Sequence, residues 1–235
     1  MLAAAAVCPC PPLLVPDVAA GAAAELDGLR TACSDAVAVL AAARPDRLLV
    51  IGPAGPEEQG PYPSGAAGSF RGFGVDRAVR LGAGDGSARE LPPSLAVAAW
   101  LLEHTDFTAA PVEGLGIDTA LPSGRCAALG RESAAGAERL ALLVMGDGSA
   151  CRTLKAPGYL DDRAADFDAG AARALGAADT EALLAVDERT ARELKAAGRA
   201  PWQVLAGAGE GAGLAGALLY DDAPYGVGYS VAVWS

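Results

Sequence analysis

The sequence predicts an α/β fold: a three-layer α/β/α sandwich with a central mixed sheet, formed by a single domain. Short apolar segments typical of buried strands alternate with longer amphipathic segments typical of helices. That alternation favours a sheet covered by helices on both faces. A length of 235 residues fits one large domain, and no internal repeat or linker divides the chain. We therefore expect one domain over residues 1–235.

The first elements are predicted from apolar periodicity and from prolines. Residues 2–7 (LAAAAV) form an apolar run that predicts a buried strand, and the proline-rich CPCPPLLVP ends it. Over residues 17–44, apolar side chains recur at helical spacing, which predicts one amphipathic helix that Pro45 closes. Residues 47–51 (RLLVI) predict a central strand, and the Gly- and Pro-rich residues 52–74 predict a long loop.

The middle of the chain continues the alternation of strands and helices. The predicted elements are strand 75–81, helix 94–104, strand 112–117, a helix that follows Ser123, and strand 139–145. Ser94 is the predicted N-cap of helix 94–104, because a serine side chain satisfies exposed backbone N–H groups. The last strand, RLALLVM, has the strongest buried-strand pattern in the chain.

The last third is predicted to be helical first and extended later. Residues 161–175 and 179–198 predict two or three helices, and APWQVL places Pro201 near the start of another. LAGALLY and GYSVAVW flank the turn DDAPYGV and predict a terminal pair of strands.

The charge balance disfavours polyanionic partners. The chain carries 29 Asp and Glu against 18 Lys and Arg, for a formal net charge of −11, and no basic run occurs. An acidic surface repels the phosphates of nucleic acids and the headgroups of anionic lipids. No apolar stretch approaches the roughly 20 residues of a membrane-spanning helix. We expect neither a nucleic-acid nor a membrane partner.

The five cysteines follow no disulfide framework, which indicates reduced thiols and a cytoplasmic setting. The N-terminal MLAAAAV lacks the basic start of a signal peptide, so we interpret it as a strand. Cys8 and Cys10 are two positions apart on an extended segment, so their side chains point to opposite faces and do not favour chelation of one metal ion. Cys8 is predicted to be a core thiol and Cys10 a pocket-lining thiol, with Cys10 a weak candidate for a metal ligand.

Four loops at predicted strand ends are candidates for a binding site. Ligands of open α/β sheets bind beyond the carboxyl ends of the parallel strands. The loops CPCPPLL, GPAGPEEQG, GDGSACR and DDAPYG qualify, and we expect them to converge on one rim. The candidate pocket residues in and around these loops are Cys10, Gly55, Asp147, Ser149, Ala150, Lys155, Asp222 and Tyr225.

The GDGSACR loop and its neighbours carry three specific hypotheses. The loop binds an anion through its backbone N–H groups if a helix begins at Ser149. Asp147 acts either as a base or as an acceptor for backbone donors in a tight turn, and the sequence favours the second role. Lys155, together with Arg152 and Tyr159, lies close enough in sequence to hold a carboxylate or a phosphate.

The same loops resemble those of a known family. CPCPPLLVP after the first strand, GPAG after the second and GDGSA after a later strand resemble the class III extradiol dioxygenase superfamily, which includes protocatechuate 4,5-dioxygenase and the Memo-like proteins. KAPGYLDDRAADFD, RAPWQVLAGA and DDAPYGVGY resemble an actinobacterial subfamily of domains that are similar to the catalytic subunit of these dioxygenases. The resemblance extends over nearly the whole chain and implies that residues 1–235 form one such domain.

The resemblance also implies an iron site that this chain does not complete. Active members hold Fe(II) with two histidines and one carboxylate. At the two positions that match the histidine ligands, this chain has Cys10 and Gly55, and Ala150 replaces the family's acid–base histidine. No acid is assigned to the position of the carboxylate ligand, although Asp221 and Asp222 lie towards the C-terminus.

The histidine count decides between the functional hypotheses. The chain contains one histidine, His104, at the end of a predicted helix, so two imidazole ligands are impossible. We therefore expect no cofactor, and the preferred hypothesis is a non-oxygenase member whose inherited pocket binds a small molecule or a protein. The alternative is a dioxygenase-like, metal-dependent oxidoreductase with a site altered to Cys10 and carboxylates. A third hypothesis, a homo-oligomeric assembly subunit, predicts exposed apolar surface.

Overall fold

A seven-stranded mixed sheet forms the centre of the computed structural model, which describes all 235 residues. The strands are β1 (Leu2–Cys8), β2 (Arg47–Ala54), β3 (Gly60–Tyr62), β4 (Ala66–Ser69), β5 (Ala78–Leu81), β6 (Val112–Asp118), β7 (Leu140–Met145), β8 (Gly216–Asp222) and β9 (Tyr229–Trp234). The order across the sheet is β3-β6-β2-β7-β1-β9-β8, while β4 and β5 pair separately. Strands β6, β2, β7 and β1 are parallel, and β3, β9 and β8 pair antiparallel to their neighbours.

Helices cover both faces of this sheet. They are α1 (Pro16–Ala19), α2 (Asp27–Ala42), α3 (Pro93–His104), α4 (Ser123–Ala135), α5 (Ala164–Gly176), α6 (Thr180–Leu184), α7 (Glu188–Glu193) and α8 (Arg199–Gly209). Helices α2 and α3 pack on one face, and α4, α5 and α8 contribute to the core on the other. This arrangement confirms the predicted single-domain α/β/α sandwich.

The central strands are apolar on both sides because each contributes alternate residues to two cores. Along β7, Leu143 and Met145 pack beneath α2 and α3, whereas Leu142 and Val144 pack beneath the opposite helices. The period of two in side-chain direction therefore requires a nearly continuous apolar sequence. This requirement explains why the buried strands could be predicted from their composition.

Two glycines let α4 and α8 pack closely. A Cβ atom on Gly130 of α4 would overlap the backbone carbonyl of Val204, and one on Gly207 of α8 would overlap the backbone of Ala127. The helix backbones meet at these glycines, with no side chain between them. The small-residue composition of the chain thus has a direct packing consequence at this contact.

The structure corrects three local expectations. The helix expected over residues 17–44 is broken: Ala20 has φ of 49°, and a 3-10 segment, Ala20–Leu26, separates α1 from α2. The loop expected over residues 52–74 contains β3 and β4, which are short and are stabilised by pairing with β6 and β5. Pro92, not Ser94, occupies the N-cap position of α3, and the Ser94 hydroxyl donates to the carbonyl of Pro53 at 2.6 Å.

None of the helices combines the length and the apolar character that crossing a membrane would require.

Candidate functional site

Three of the four predicted loops meet at the carboxyl ends of the parallel strands, which we call the carboxyl edge of the sheet. The backbone N–H of Cys10, after β1, donates to Oδ1 of Asp147, after β7, at 2.7 Å. The N–H of Gly148 donates to the carbonyl of Gly228, in the β8–β9 turn, at 2.7 Å. The fourth loop does not join the other three: its Gly55 N–H donates to the carboxylate of Glu58 in the same loop, at 3.0 Å.

Cys10, Asp147 and Tyr229 form a partly buried cluster where β1 and β7 end and the antiparallel β9 begins. Asp147 accepts the backbone N–H of Cys10 from a different loop, not a donor within its own turn, and its carboxylate also lies beside the Cys10 thiol. Burial raises the pKa of Asp147 to about 6, and the hydrogen bonds from Cys10 offset part of that rise. Burial, reinforced by the Asp147 charge, raises the pKa values of the Cys10 thiol and the Tyr229 hydroxyl. These environments favour the neutral thiol and phenol over a thiolate and a phenolate.

The cluster does not contain a complete set of metal ligands. No three side chains among His, Cys, Asp and Glu come together in a way that could hold a metal ion. Cys10 and Asp147 supply two donors, and the thiol is in an environment that disfavours its deprotonation. Because metal binding requires the thiolate, this site does not fit the ferrous iron that the family resemblance implies.

Asp168 of α5 anchors the loop that carries Ser149. Its carboxylate accepts the Ser149 backbone N–H and hydroxyl, both at 2.7 Å, and an N–H of the Arg152 guanidinium at 3.1 Å. The Asp168 side chain is only 3% exposed, and burial raises its pKa although these hydrogen bonds oppose the rise. A Cβ atom on Gly148 or Gly228 would lie against the same carboxylate, so both backbones pass close to it.

Asp168 is absent from the residues predicted for the site, although the sequence contains a signal for it. Ala164, Asp168, Ala171 and Leu175 lie at helical spacing on the buried side of α5. An acid within an apolar stripe is a candidate for a buried, paired carboxylate. Asp168 does not stand out in the sequence, because three other aspartates lie close to it: Asp161, Asp162 and Asp166.

The prediction that the GDGSACR loop binds an anion at the start of a helix is wrong. No helix begins at Ser149, since the next helix, α5, begins at Ala164. The backbone N–H groups of the loop already have protein acceptors: Gly148 and Arg152 donate to the β8–β9 turn, Ser149 to Asp168, and Ala150 to the Leu194 carbonyl. No row of N–H groups remains to bind an anion.

A cavity of about 720 Å³ opens beside this loop, and we call it the edge cavity. It brings together two of the predicted pocket residues, Lys155 and Tyr225. Its lining consists of Arg152, Thr153, Leu154, Lys155, Leu160, Pro224, Tyr225 and Gly226. The Tyr225 hydroxyl donates to the Glu25 carboxylate at 2.9 Å, which ties the β8–β9 turn to the segment before α2. Leu154 is 62% exposed, so the cavity has an apolar rim.

The other candidates lie outside the edge cavity. Ala150 is partly buried in the loop, and the exposed Asp222 ends β8, where it accepts the Ala223 N–H at 2.7 Å. Tyr159 is exposed and is not part of the cavity lining. His104 stacks on Trp100 with ring centroids 5.0 Å apart. It ends α3 shortly before β6 begins, which places the single imidazole at the opposite edge of the sheet.

Comparison with known proteins supports the fold. No protein-family model matches the chain, and no curated protein sequence matches it. The crystal structure of the uncharacterized protein JW3007 from Escherichia coli K12 is similar over 98% of this chain and 98% of that chain, with a TM-score of 0.53 and 14% sequence identity. At this identity the similarity concerns the fold alone.

Proposed function

We propose that the chain is a non-oxygenase member of the class III extradiol dioxygenase superfamily that binds a small amphipathic anion in the edge cavity. The composition of that cavity is the observation that carries the proposal: Arg152 and Lys155 lie beside the apolar side chains of Leu154, Leu160 and Tyr225. Its volume of about 720 Å³ is in the range of small-molecule sites.

The two cations have different roles in this proposal. One guanidinium N–H of Arg152 is held by Asp168 at 3.1 Å, so Arg152 is positioned by a buried carboxylate. Lys155 is exposed and makes no hydrogen bond to the protein, so its ammonium group can follow a ligand. The acidic group of an amphipathic ligand would bind between a fixed and a mobile cation, and the apolar walls, in contact with the rest of the ligand, would strengthen that attraction by excluding water.

The donors at the carboxyl edge support the proposal that the chain is not an oxygenase. An extradiol site requires two imidazoles, and His104 lies at the opposite edge of the sheet. The alternative, an oxidoreductase with an altered metal site, rests on the Cys10–Asp147 pair. That pair offers two donors where a stable site for iron or zinc requires at least three.

The fluorescent anion 8-anilinonaphthalene-1-sulfonate tests the edge cavity directly, because its apolar rings and its sulfonate match the two kinds of lining. We expect saturable fluorescence enhancement with the native protein. Lys155→Ala should weaken binding about three- to tenfold, and Leu160→Ala should weaken it by a similar factor. Arg173→Ala removes one exposed positive charge outside the cavity and should leave binding unchanged. Equal affinities for all four proteins would refute the proposed site.

Metal analysis distinguishes the two functional hypotheses. Protein purified without a histidine tag should contain no stoichiometric transition metal. A stoichiometric metal that is lost in Cys10→Ala would instead establish the altered-site oxidoreductase and overturn the binding proposal.

Homo-oligomeric assembly and a cytoplasmic setting remain proposals. Leu154, Tyr159 and Leu160 expose apolar surface around the edge cavity, as an assembly subunit would. A clean monomer at micromolar concentration, measured by light scattering after size exclusion, would count against assembly. All five cysteines are buried and unpaired, which fits a reducing compartment.

A further inference from the structure

Arg199 is a buried cation with no acidic partner. Among the buried charged side chains, Arg30 pairs with Asp27 at 2.6 Å, and Asp168 pairs with Arg152 at 3.1 Å. Arg199 is 2% exposed, and no carboxylate oxygen lies within 4.0 Å of it. Because buried charges are ordinarily paired in direct contact, Arg199 lacks the contacting anion that its burial favours.

The neighbours of Arg199 accept three of its five guanidinium N–H groups, and none of these acceptors carries a charge. The guanidinium donates to the carbonyl of Leu121 at 2.6 Å, to Oε1 of Gln203 at 3.0 Å and to the carbonyl of Thr119. All three acceptors are uncharged. These bonds fix the position of the guanidinium beside a cavity, where the Glu188 carboxylate opposes its charge from beyond 4.0 Å.

That cavity, of about 260 Å³, collects two further cations, and we call it the basic cavity. Arg192 is exposed and makes no hydrogen bond to the protein, and Lys195 makes one long bond, at 3.4 Å, to the carbonyl of Pro157. Glu188 is the one acid in the lining, and the Ser123 N–H and hydroxyl hold its carboxylate at 2.7 and 2.8 Å. Three cations against one carboxylate leave an excess of two positive charges in a chain whose net charge is −11.

The position of the basic cavity in the fold also favours an anion. Thr119 and Ala120 follow β6, so the cavity lies beyond the carboxyl end of a parallel strand. Arg199 is the first residue of the 11-residue helix α8, whose amino end adds a positive partial charge. The basic cavity shares no lining residue with the edge cavity.

We propose that the basic cavity binds the phosphate group of a small phosphorylated molecule or free phosphate. A phosphate dianion neutralises the excess of two charges, whereas a carboxylate neutralises half of it. Arg199 provides the fixed, preoriented donor, and Arg192 and Lys195 close over the anion. The volume of the basic cavity, about 260 Å³, accommodates a phosphate group that carries at most a small organic substituent.

Calorimetric titration at low ionic strength with inorganic phosphate, and separately with glycerol 3-phosphate, tests this site. We expect one saturable site per chain with dissociation constants at or below about 1 mM. Tighter binding of one of the two probes identifies the source of the phosphate group. Acetate should bind at least tenfold more weakly, since it carries one negative charge.

Two peripheral variants avoid the risk of unfolding that removal of buried Arg199 carries. Arg192→Ala should weaken phosphate binding about tenfold. Lys195→Asn should do the same, and asparagine suits the φ of 56° at this position. Arg173→Ala removes an exposed cation that lines neither cavity, so it is the matched control and should bind phosphate like the native protein.

Three results would overturn the site: no saturation by about 10 mM phosphate, which is tenfold above the expected dissociation constant; unchanged binding in the Arg192→Ala, Lys195→Asn double variant; or equal binding of acetate. None of them bears on the edge cavity, which has its own probe and variants.

Discussion

Removing the Asp168 carboxylate should destabilise the fold more than its single ion pair suggests. In Asp168→Ala, the backbone N–H and hydroxyl of Ser149 lose acceptors at 2.7 Å in a fully buried setting. An unsatisfied buried donor costs about 1–3 kcal/mol. The contribution of Arg152 is smaller, because its side chain is 31% exposed and water replaces part of the pair. We therefore expect a loss of about 3 kcal/mol in the free energy of unfolding, near the lower end for a broken buried pair.

Asp168→Asn is the matched variant. The asparagine oxygen still accepts the Ser149 N–H, and its amide group can donate to the Ser149 hydroxyl, so the main loss is the pair with Arg152. We expect a cost of about 1 kcal/mol. Urea unfolding followed by far-ultraviolet circular dichroism measures both values. If Asp168→Ala and Asp168→Asn lose the same free energy, or if neither loses any, the proposed anchoring of the loop is wrong.

Two further predictions concern stability. The pKa of Asp147 is about 6 in the folded state and near 3.9 in an unfolded chain, so the folded state binds this proton more tightly. Ionisation of Asp147 should therefore lower the free energy of unfolding by up to about 3 kcal/mol as the pH rises from about 4 to about 6. Urea unfolding across that pH range should show this loss in the native protein and a smaller loss in Asp147→Asn. Identical pH profiles for the two proteins would contradict the assignment. Gly130→Ala, at the contact of α4 with α8, should cost about 1–3 kcal/mol by overpacking. Gly124→Ala, on the open side of α4, should instead stabilise by roughly 0.4–1 kcal/mol; equal thermal unfolding midpoints for these two variants would contradict the close packing.

The sequence was sufficient to predict the fold class because the central strands are buried on both faces. Segments such as LALLVM are apolar throughout, and helix α2 between β1 and β2 carries one apolar stripe. The short strands β3 and β4 were not predicted, since three or four residues rich in Gly carry no periodic signal and depend on pairing with a partner. The break at Ala20 was also not predicted, because alanine favours helix and gives no sign of a positive φ.

The candidate site was predicted in part. Three of the four strand-end loops meet at the carboxyl edge as expected, but the particular pairs that they form, Cys10 with Asp147 and Lys155 with Tyr225, were not predicted. The proposed helix at Ser149 failed, because the loop amides bond to other segments that are distant in sequence. Arg199 was not singled out, since a buried arginine without a carboxylate partner is recognised from three-dimensional contacts alone.

The most direct test of the account is oxygen consumption by tag-free protein that has been loaded anaerobically with Fe(II) and mixed with a catechol substrate in air-saturated buffer. Ring-opened product is followed by its absorbance in the same samples. A chain with one histidine, at the edge opposite the candidate site, should show no oxygen uptake and no ring-opened product above those of Fe(II) alone. Saturable ring cleavage that disappears in Cys10→Ala would contradict the account.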